Sequence, residues 1–224
     1  MASKNSVKPY LENSFYHIYN RGVEKRNIFM DNQDYSVFLS YLETYLTPKD
    51  KNQLVTTLSS PTATPKDKDK ALKLLHLNNF FGLLDLVCYA LLPNHFHLLI
   101  YQTDNVINHF MNSLGTRYSM YFNRKYKRSG VLFQDVYKAV PVESEEQLLH
   151  LSRYIHLNPV RWKNSSLPNS LPDYLGHRHT PWIKPHHVLD YFSTNNPSLS
   201  YSNFIGTNID PDFVVHIAID YDID

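Results

Sequence analysis

The chain has 224 residues, of which 42% are hydrophobic and 19% charged, a composition typical of one well-packed globular domain with additions. No apolar run approaches the roughly 20 residues that cross a bilayer, and residues 1–10 lack the apolar core of a secretory signal, so the sequence predicts a cytoplasmic protein with no membrane partner. The net charge of +1 combines a basic segment, 117–128, with an acidic tail, 210–224, and the one cysteine, Cys88, excludes an internal disulfide.

The first half of the chain predicts a strand, a helix and a β-hairpin. Aromatic and β-branched residues predict a strand over 15–19, and apolar residues at helical spacing after an Asp31 cap predict a helix over 31–46. Residues 47–70, rich in proline, serine, threonine and lysine, predict a long exposed insertion that is partly disordered, with a short helix over 71–77 after it. Apolar runs over 83–92 and 95–101, joined by a Pro-Asn turn, predict the hairpin.

The second half predicts a helix over 105–125, a strand over 136–142 and a helix over 144–158 that begins at a Ser144 cap and ends before Pro159. This order of elements predicts an α+β fold: a ferredoxin-like, split βαβ core with an antiparallel sheet, followed by a C-terminal helix and an extension. We expect a catalytic domain over 1–176 and a C-terminal extension over 177–224.

Two histidines in the second strand of the hairpin are candidate metal ligands. His95 and His97 alternate along the strand, so their imidazoles point to the same face, and two neutral imidazoles on a rigid strand form half of a metal site. In a chain with 12 histidines this spacing also arises by chance, so the pair alone is a weak signal. A later group has prolines between its members and no acidic or cysteine partner, which favours solvated side chains over a second metal site. That group is His177, His179, His186 and His187.

Tyr154 and Asn158 lie four residues apart in a predicted helix, so they share one helical face. Asn158 offers a carbonyl oxygen that Mg²⁺ or Mn²⁺ accepts, and Tyr154 offers a phenol that can act as a covalent nucleophile. Each residue alone is also explained by packing. Together with the two histidines they predict a metal-assisted attack on a phosphodiester, with Tyr118 as the substitute nucleophile and His150, one turn before Tyr154, as a packing residue in preference to a general base.

Several motifs carry a resemblance to one family. Residues 92–99, Leu-Pro-Asn-His-Phe-His-Leu-Leu, resemble the HUH motif of the insertion-sequence single-tyrosine transposases. Residues 153–161 resemble their tyrosine helix, and in particular the REP-associated tyrosine transposase branch, in which asparagine replaces glutamine. Residues 16–22, and 121–124 with 129–134, are similar to other segments of that branch. The resemblance runs from about Tyr10 to Gly176 outside the insertion, and the C-terminal extension and acidic tail match nothing in it.

The resemblance implies a DNA transposase that nicks and rejoins single-stranded DNA beside hairpins. Such enzymes use Mg²⁺ or Mn²⁺, form a 5′-phosphotyrosine and leave a 3′ hydroxyl. The alternatives are a replication-initiation or relaxase-type HUH nuclease, which usually has a three-histidine cluster, a domesticated hairpin-DNA-binding protein, and a ferredoxin-like RNA-binding module. The resemblance leaves a monomer and a homodimer open, and Tyr154 acts on the histidines of its own chain or of a partner.

Basic side chains in two regions are candidate DNA contacts, although a solvated basic face also explains any single one. One group lies on or just after the helix over 105–125, where tyrosines are interleaved with it: Arg117, Arg124, Lys125, Lys127 and Arg128. The other flanks the proposed chemistry and is suited to hold the scissile phosphate: Arg21, Arg153 and Arg161.

Overall fold

The computed structural model describes residues 10–207, so the predicted acidic tail lies outside the described residues. The strands are β1 (Ser14–Arg21), β2 (Leu84–Leu92), β3 (His95–Gln102) and β4 (Lys138–Val142). The longer helices are α1 (Asn32–Leu46), α2 (Lys51–Ser59), α3 (Pro65–His76), α4 (Ile107–Lys125) and α5 (Glu145–Arg161). Short helices follow: α6 (Leu171–Tyr174), α7 (His186–Leu189) and α8 (Tyr201–Gly206).

The strands form one antiparallel sheet in the order β2-β3-β1-β4. β1 and β2 both run antiparallel to β3, which lies between them, so α1 connects two parallel strands across an inserted one. α4 then connects β3 to β4 at the other edge. This is the ferredoxin-like arrangement, and the α+β prediction from the sequence is confirmed.

Alternating residues of the strands divide between two cores. Helices α1 and α4 cover one face of the sheet, and α5 with the chain that follows it covers the other. The α1–α4 face is aromatic and aliphatic, with strand residues Tyr16, Ile18, Phe96, Leu98 and Ile100. The alternate strand residues point to the α5 face, and His95 and His97 are among them. Because successive side chains of a strand point to opposite faces, the core residues and the candidate metal ligands lie on different faces of the sheet.

The predicted insertion is ordered rather than partly disordered. Residues 51–76 form α2 and α3, which pack on each other, and α3 begins with a capping box in which Thr64 and Asp67 hydrogen bond to each other's backbone N–H. Local caps of this kind stabilise a helix without a large core. The segment is largely exposed, because α2 has no buried residue and α3 buries only Ala71.

One further prediction about the end of the chain needs correction. α5 continues through Pro159 to Arg161 instead of ending before the proline. The chain after α5 lies along the sheet: Leu91 N–H donates to Pro168 O, and Lys184 N–H donates to Leu86 O. This chain covers the edge of β2, which would otherwise expose unpaired backbone groups. Among residues 10–207, no helix has the length and apolar character needed to cross a membrane.

Candidate active site

The β2–β3 turn holds the two histidines at the end of the sheet. Gly22 N–H donates to Asn94 O at 2.8 Å, and the N–H groups of Ile28 and Phe29 both donate to Pro93 O. A Cβ on Gly22 would lie 2.2 Å from the carbonyl oxygen of Arg26, so this close approach of backbones requires glycine. The turn is therefore anchored from outside the hairpin, and the start of β3 is fixed.

His95 and His97 point to the α5 face, with ring centroids 5.0 Å apart. The His95 Nδ1–H donates to the Asn94 side-chain oxygen at 2.6 Å, which leaves Nε2 as the nitrogen with a lone pair. Burial, together with the nearby charge of Arg21, lowers the pKa of His95 to about 4. Burial and the neighbouring His95 and His17 hold the pKa of His97 well below its ordinary value. Both imidazoles are thus neutral near pH 7, the state in which imidazole binds metal.

His17 is a member of the site that the sequence did not single out. It lies on β1 and is 1% exposed, and its Nε2 is 2.9 Å from His97 Nδ1, with the two rings stacked. When His97 donates from Nδ1 to His17, its Nε2 is the nitrogen for a metal, so His17 fixes the tautomer of His97. The only sequence signal was a histidine within the 16–22 segment, on a strand whose partner was not yet known.

One face of α5 completes the site. Tyr154 lies against His97 at 5.6 Å between ring centroids, and Trp162, just after the helix, lies against His95 at 5.7 Å. Asn158 is midway between Tyr154 and Trp162, one turn from each, and therefore faces the histidine pair. Its side-chain amide donates to Tyr154 O at 2.9 Å, which commits the nitrogen to the backbone and leaves the oxygen for a ligand. The structure brings His95, His97 and Tyr154 together within one chain, and Asn158 follows Tyr154 by one turn on the same face of α5.

The donor set fits a divalent cation. Two neutral imidazole nitrogens and one amide oxygen are ligands that a divalent metal accepts, and both histidines have a hydrogen-bond partner that sets their tautomer. His17 does not add a third histidine ligand: within residues 10–207, the only histidine, cysteine and carboxylate trio with all ligand atoms within 4.8 Å of one another lies elsewhere. This arrangement differs from a three-histidine cluster.

The other tyrosines and His150 have separate roles. Tyr19 is 1% exposed beside the site, and burial, with Tyr154 adding a smaller effect, raises its pKa to about 12. Tyr118 lies on the opposite face of the sheet and donates to Ile28 O at 2.6 Å, so it is not a substitute nucleophile. His150 Nδ1 is 2.9 Å from an Arg153 nitrogen, and its ring packs on Phe204, in agreement with a packing role.

The three arginines predicted near the chemistry are placed differently. Arg21 pairs with His95 in the sheet and donates to the Gln134 side chain, and the Arg161 guanidinium lies 5.0 Å from the centre of the Tyr154 ring. Both flank the site. Arg153, by contrast, is 2% exposed and donates to Phe204 O and Thr207 Oγ1, so it holds α8 against α5 and does not face a DNA phosphate.

The basic residues of α4 lie on the other side of the sheet, and only some are exposed. Arg124 and Lys127 are exposed, whereas Lys125 is 20% exposed and forms ion pairs with Asp31 and Asp34. The remaining two are half-buried on aromatic rings. Arg117 lies 3.7 Å from the Tyr41 ring centre, and Arg128 lies 5.6 Å from that of Phe122.

Comparison with known proteins gives a family match over part of the chain and a likeness in fold over most of it. Residues 74–158 match the family described as Transposase IS200 like. A REP-associated tyrosine transposase solved bound to a REP hairpin has a TM-score of 0.50 and 9% identity, over 81% of this chain and 98% of that one. A candidate transposase from Deinococcus radiodurans R1 has a TM-score of 0.36 and 14% identity, over 72% of this chain and 99% of that one. No curated protein matches the chain in sequence.

The matched segment contains both histidines, Tyr154 and Asn158, and ends at Asn158 itself. The fold likeness to the REP-associated transposase extends further, over most of the chain. Residues 74–158 thus match the IS200-like transposase family, the family that the sequence motifs resemble.

Proposed function

We propose that this transposase-family chain cuts and rejoins single-stranded DNA at hairpin-flanked sites through a 5′-phosphotyrosine on Tyr154, using Mg²⁺ or Mn²⁺. The contact between Tyr154 and His97 carries the proposal, because a nucleophile must lie near the group that positions its target. The same contact supports action of Tyr154 on the histidines of its own chain, so a monomer suffices for the cut.

The chain's own residues account for most of the proposed step. His95, His97 and Asn158 hold the metal, which when bound neutralises charge on the scissile phosphate. The Tyr154 oxygen attacks phosphorus, and its proton passes to solvent. The bond from phosphorus to the 3′ oxygen breaks, and that oxygen leaves as a hydroxyl after taking up a proton. Arg21 and Arg161, on either side of the site, hold phosphate oxygens. Attack by a 3′ hydroxyl on the phosphotyrosine reverses the step and rejoins DNA.

Among the alternatives, the histidine arrangement favours the transposase over a relaxase-type nuclease, because His17 hydrogen bonds to His97 in place of joining the ligand set. A domesticated hairpin-binding protein would keep the fold but have no need for neutral histidines beside Tyr154. Hairpin DNA as the substrate rests on the family resemblance and on the partner of the REP-associated relative.

The direct test is formation of a covalent adduct. The protein is incubated with a 5′- or 3′-labelled single strand that carries a hairpin, with Mn²⁺ or with EDTA, and resolved on a denaturing gel. We expect an adduct with the strand on the 5′-phosphate side, a free 3′ hydroxyl on the other fragment, and no adduct with EDTA.

Two tyrosine variants are matched controls. Tyr154→Phe is expected to bind hairpin DNA as the wild type does and to form no adduct, whereas Tyr19→Phe retains adduct formation because its hydroxyl is not the nucleophile. Wild-type protein that binds the hairpin but forms no adduct would exclude nuclease function. An adduct that forms with Tyr154→Phe but not with Tyr19→Phe would identify Tyr19, on β1, as the nucleophile.

A further inference from the structure

A second group of metal-binding side chains lies at the opposite end of the sheet. Asp85 is near the start of β2 and pairs across the strand with Tyr101, whereas the other end of β2 pairs with His95. His95 and Tyr101 are six residue steps apart on β3, which is about 20 Å along the strand. The group therefore has no atoms in common with the candidate active site.

Three residues make up this group: Asp85, His186 and His187, whose ligand atoms all lie within 4.8 Å of one another. His187 Nε2 is 2.9 Å from Asp85 Oδ2, and the rings of the two histidines stack at 4.3 Å between centroids. The sequence did not point to Asp85 as a partner of these histidines, because it lies about a hundred residues earlier. The fold supplies the missing carboxylate.

The backbone fixes the approach of the two segments. Ile183 forms a parallel bridge with Leu86, and Lys184 N–H donates to Leu86 O at 2.9 Å, so the chain is tied to β2 one residue from Asp85. The rings of Phe15 and Tyr101 then pack on His187 and hold its orientation. Only His186 is exposed and able to turn toward a ligand.

We propose that Asp85, His186 and His187 form a second metal site, which binds Zn²⁺ or a similar imidazole-binding transition metal and joins the C-terminal segment to β2. Zinc accepts imidazole nitrogen at about 2.0–2.1 Å and carboxylate oxygen at about 2.0–2.2 Å, so an ion between His187 and Asp85 would replace the hydrogen bond that they form at 2.9 Å after a small separation of the two side chains. A water molecule would complete the four ligands of such an ion.

Two charges bear on the choice of metal. The Asp85 carboxylate, 2.9 Å from His187, supplies the one acidic ligand of the group. Lys184, whose backbone N–H donates to Leu86 O beside Asp85, brings a positive charge near the group. Mg²⁺ and Ca²⁺, which bind mainly through charge and oxygen ligands, are disfavoured, whereas a metal that bonds strongly to imidazole is retained.

The test is the stoichiometry of Zn²⁺ binding, measured by equilibrium dialysis on the full chain. We expect two equivalents for the wild type and one for His186→Ala, which removes a ligand while keeping the ion pair between Asp85 and His187. His179→Ala, a neighbouring exposed histidine outside the group, serves as the matched control and keeps two equivalents. The His95→Ala, His97→Ala double variant is expected to keep one equivalent and to gain several degrees in Tm with Zn²⁺.

An unchanged stoichiometry in His186→Ala would overturn the proposal and leave only an ion pair at this position. The proposed nuclease function is tested separately by adduct formation, which does not depend on Asp85, His186 or His187. Its failure would therefore leave the proposal of a second metal site unchanged. If the double variant does not fold, the comparison of His186→Ala with His179→Ala in the wild-type background still decides the matter.

Discussion

The two faces of the sheet come from the same strands but differ in every property that matters for function. The α1–α4 face buries aromatic and aliphatic side chains. The α5 face buries imidazoles: the residues that the structure describes include four buried histidines, all on this side of the sheet, namely His17, His95, His97 and His156. A single residue step along a strand thus separates a side chain that stabilises the fold from one suited to chemistry.

The largest effects should come from neighbours on β3. Phe96→Ala leaves a cavity on the α1–α4 face, and we expect it to lower the free energy of unfolding by about 3–5 kcal/mol. His97→Ala removes a metal ligand on the other face, and we expect cleavage to fall by roughly 10³-fold or more, since the Lewis acid supplies several kcal/mol of transition-state stabilisation. Denaturant unfolding measures the stability of both variants, and the adduct assay measures their cleavage of DNA. Equal losses of stability in both variants would contradict the division of roles.

Acid should weaken the α5 side of the molecule. His156 is fully buried between the hydroxyls of Tyr201 and Ser170, and burial lowers its pKa to about 3, compared with 6.5 for the ordinary side chain. Between these values the unfolded chain binds more protons than the native one, so stability falls as the pH falls from about 6.5 toward 3, by on the order of several kcal/mol. His95, with a pKa of about 4, adds to the loss.

Unfolding free energies measured between pH 7 and pH 4 test this prediction. His156→Gln cannot take up a proton, so its stability is expected to depend less on pH than that of the wild type. The same slope in both proteins would show that this histidine is not responsible.

Lys125 and Lys127 flank Tyr126 on the α1–α4 side of the molecule. Replacing each of them tests whether its side chain serves folding or DNA binding. Asp34 is fully buried and accepts hydrogen bonds from Lys125 and the Tyr126 hydroxyl. Lys125→Ala is expected to lower the free energy of unfolding by about 1.5–3 kcal/mol, because a hydrogen bond to a buried charge is lost. Lys127→Ala changes an exposed residue, and we expect unchanged stability.

If Lys127 contacts a phosphate, its removal lowers the slope of log K against log salt for hairpin DNA by about 1. An unchanged slope would assign Lys127 to a solvated surface. A reduced slope in Lys125→Ala, with no loss of stability, would reverse the roles given to the two residues.

The smallest effect concerns the hydrogen bond that His97 donates to His17. His17→Ala removes the group that sets the tautomer of His97, and we expect metal affinity at the active site to fall by about 10–100-fold. His17→Gln, whose side chain still offers an acceptor, should recover part of it. Isothermal titration with Mn²⁺ measures both. Loss of all folded protein in His17→Gln would instead assign His17 to packing.

The sequence predicted those features that depend on local spacing. The alternation of His95 and His97, the one-turn spacing of Tyr154 and Asn158, and the caps at Asp31 and Ser144 are local, and the structure contains each. Tertiary contacts decided the rest. His17 joins the site only through the pairing of β1 with β3, and Arg153 is buried by α8, which follows it by about fifty residues.

The α2–α3 segment has a consequence for how this chain can vary. It enters between α1 and β2, its helices contact mainly each other, and the residues matched by the family begin at 74, within α3. Lengthening a surface connection costs little, about 0.6 kcal/mol for each doubling in length. The β1–β3 pairing that unites His17 and His97 does not pass through this segment, so the connection is a position at which the chain can gain or lose residues while the distance between its histidines stays the same.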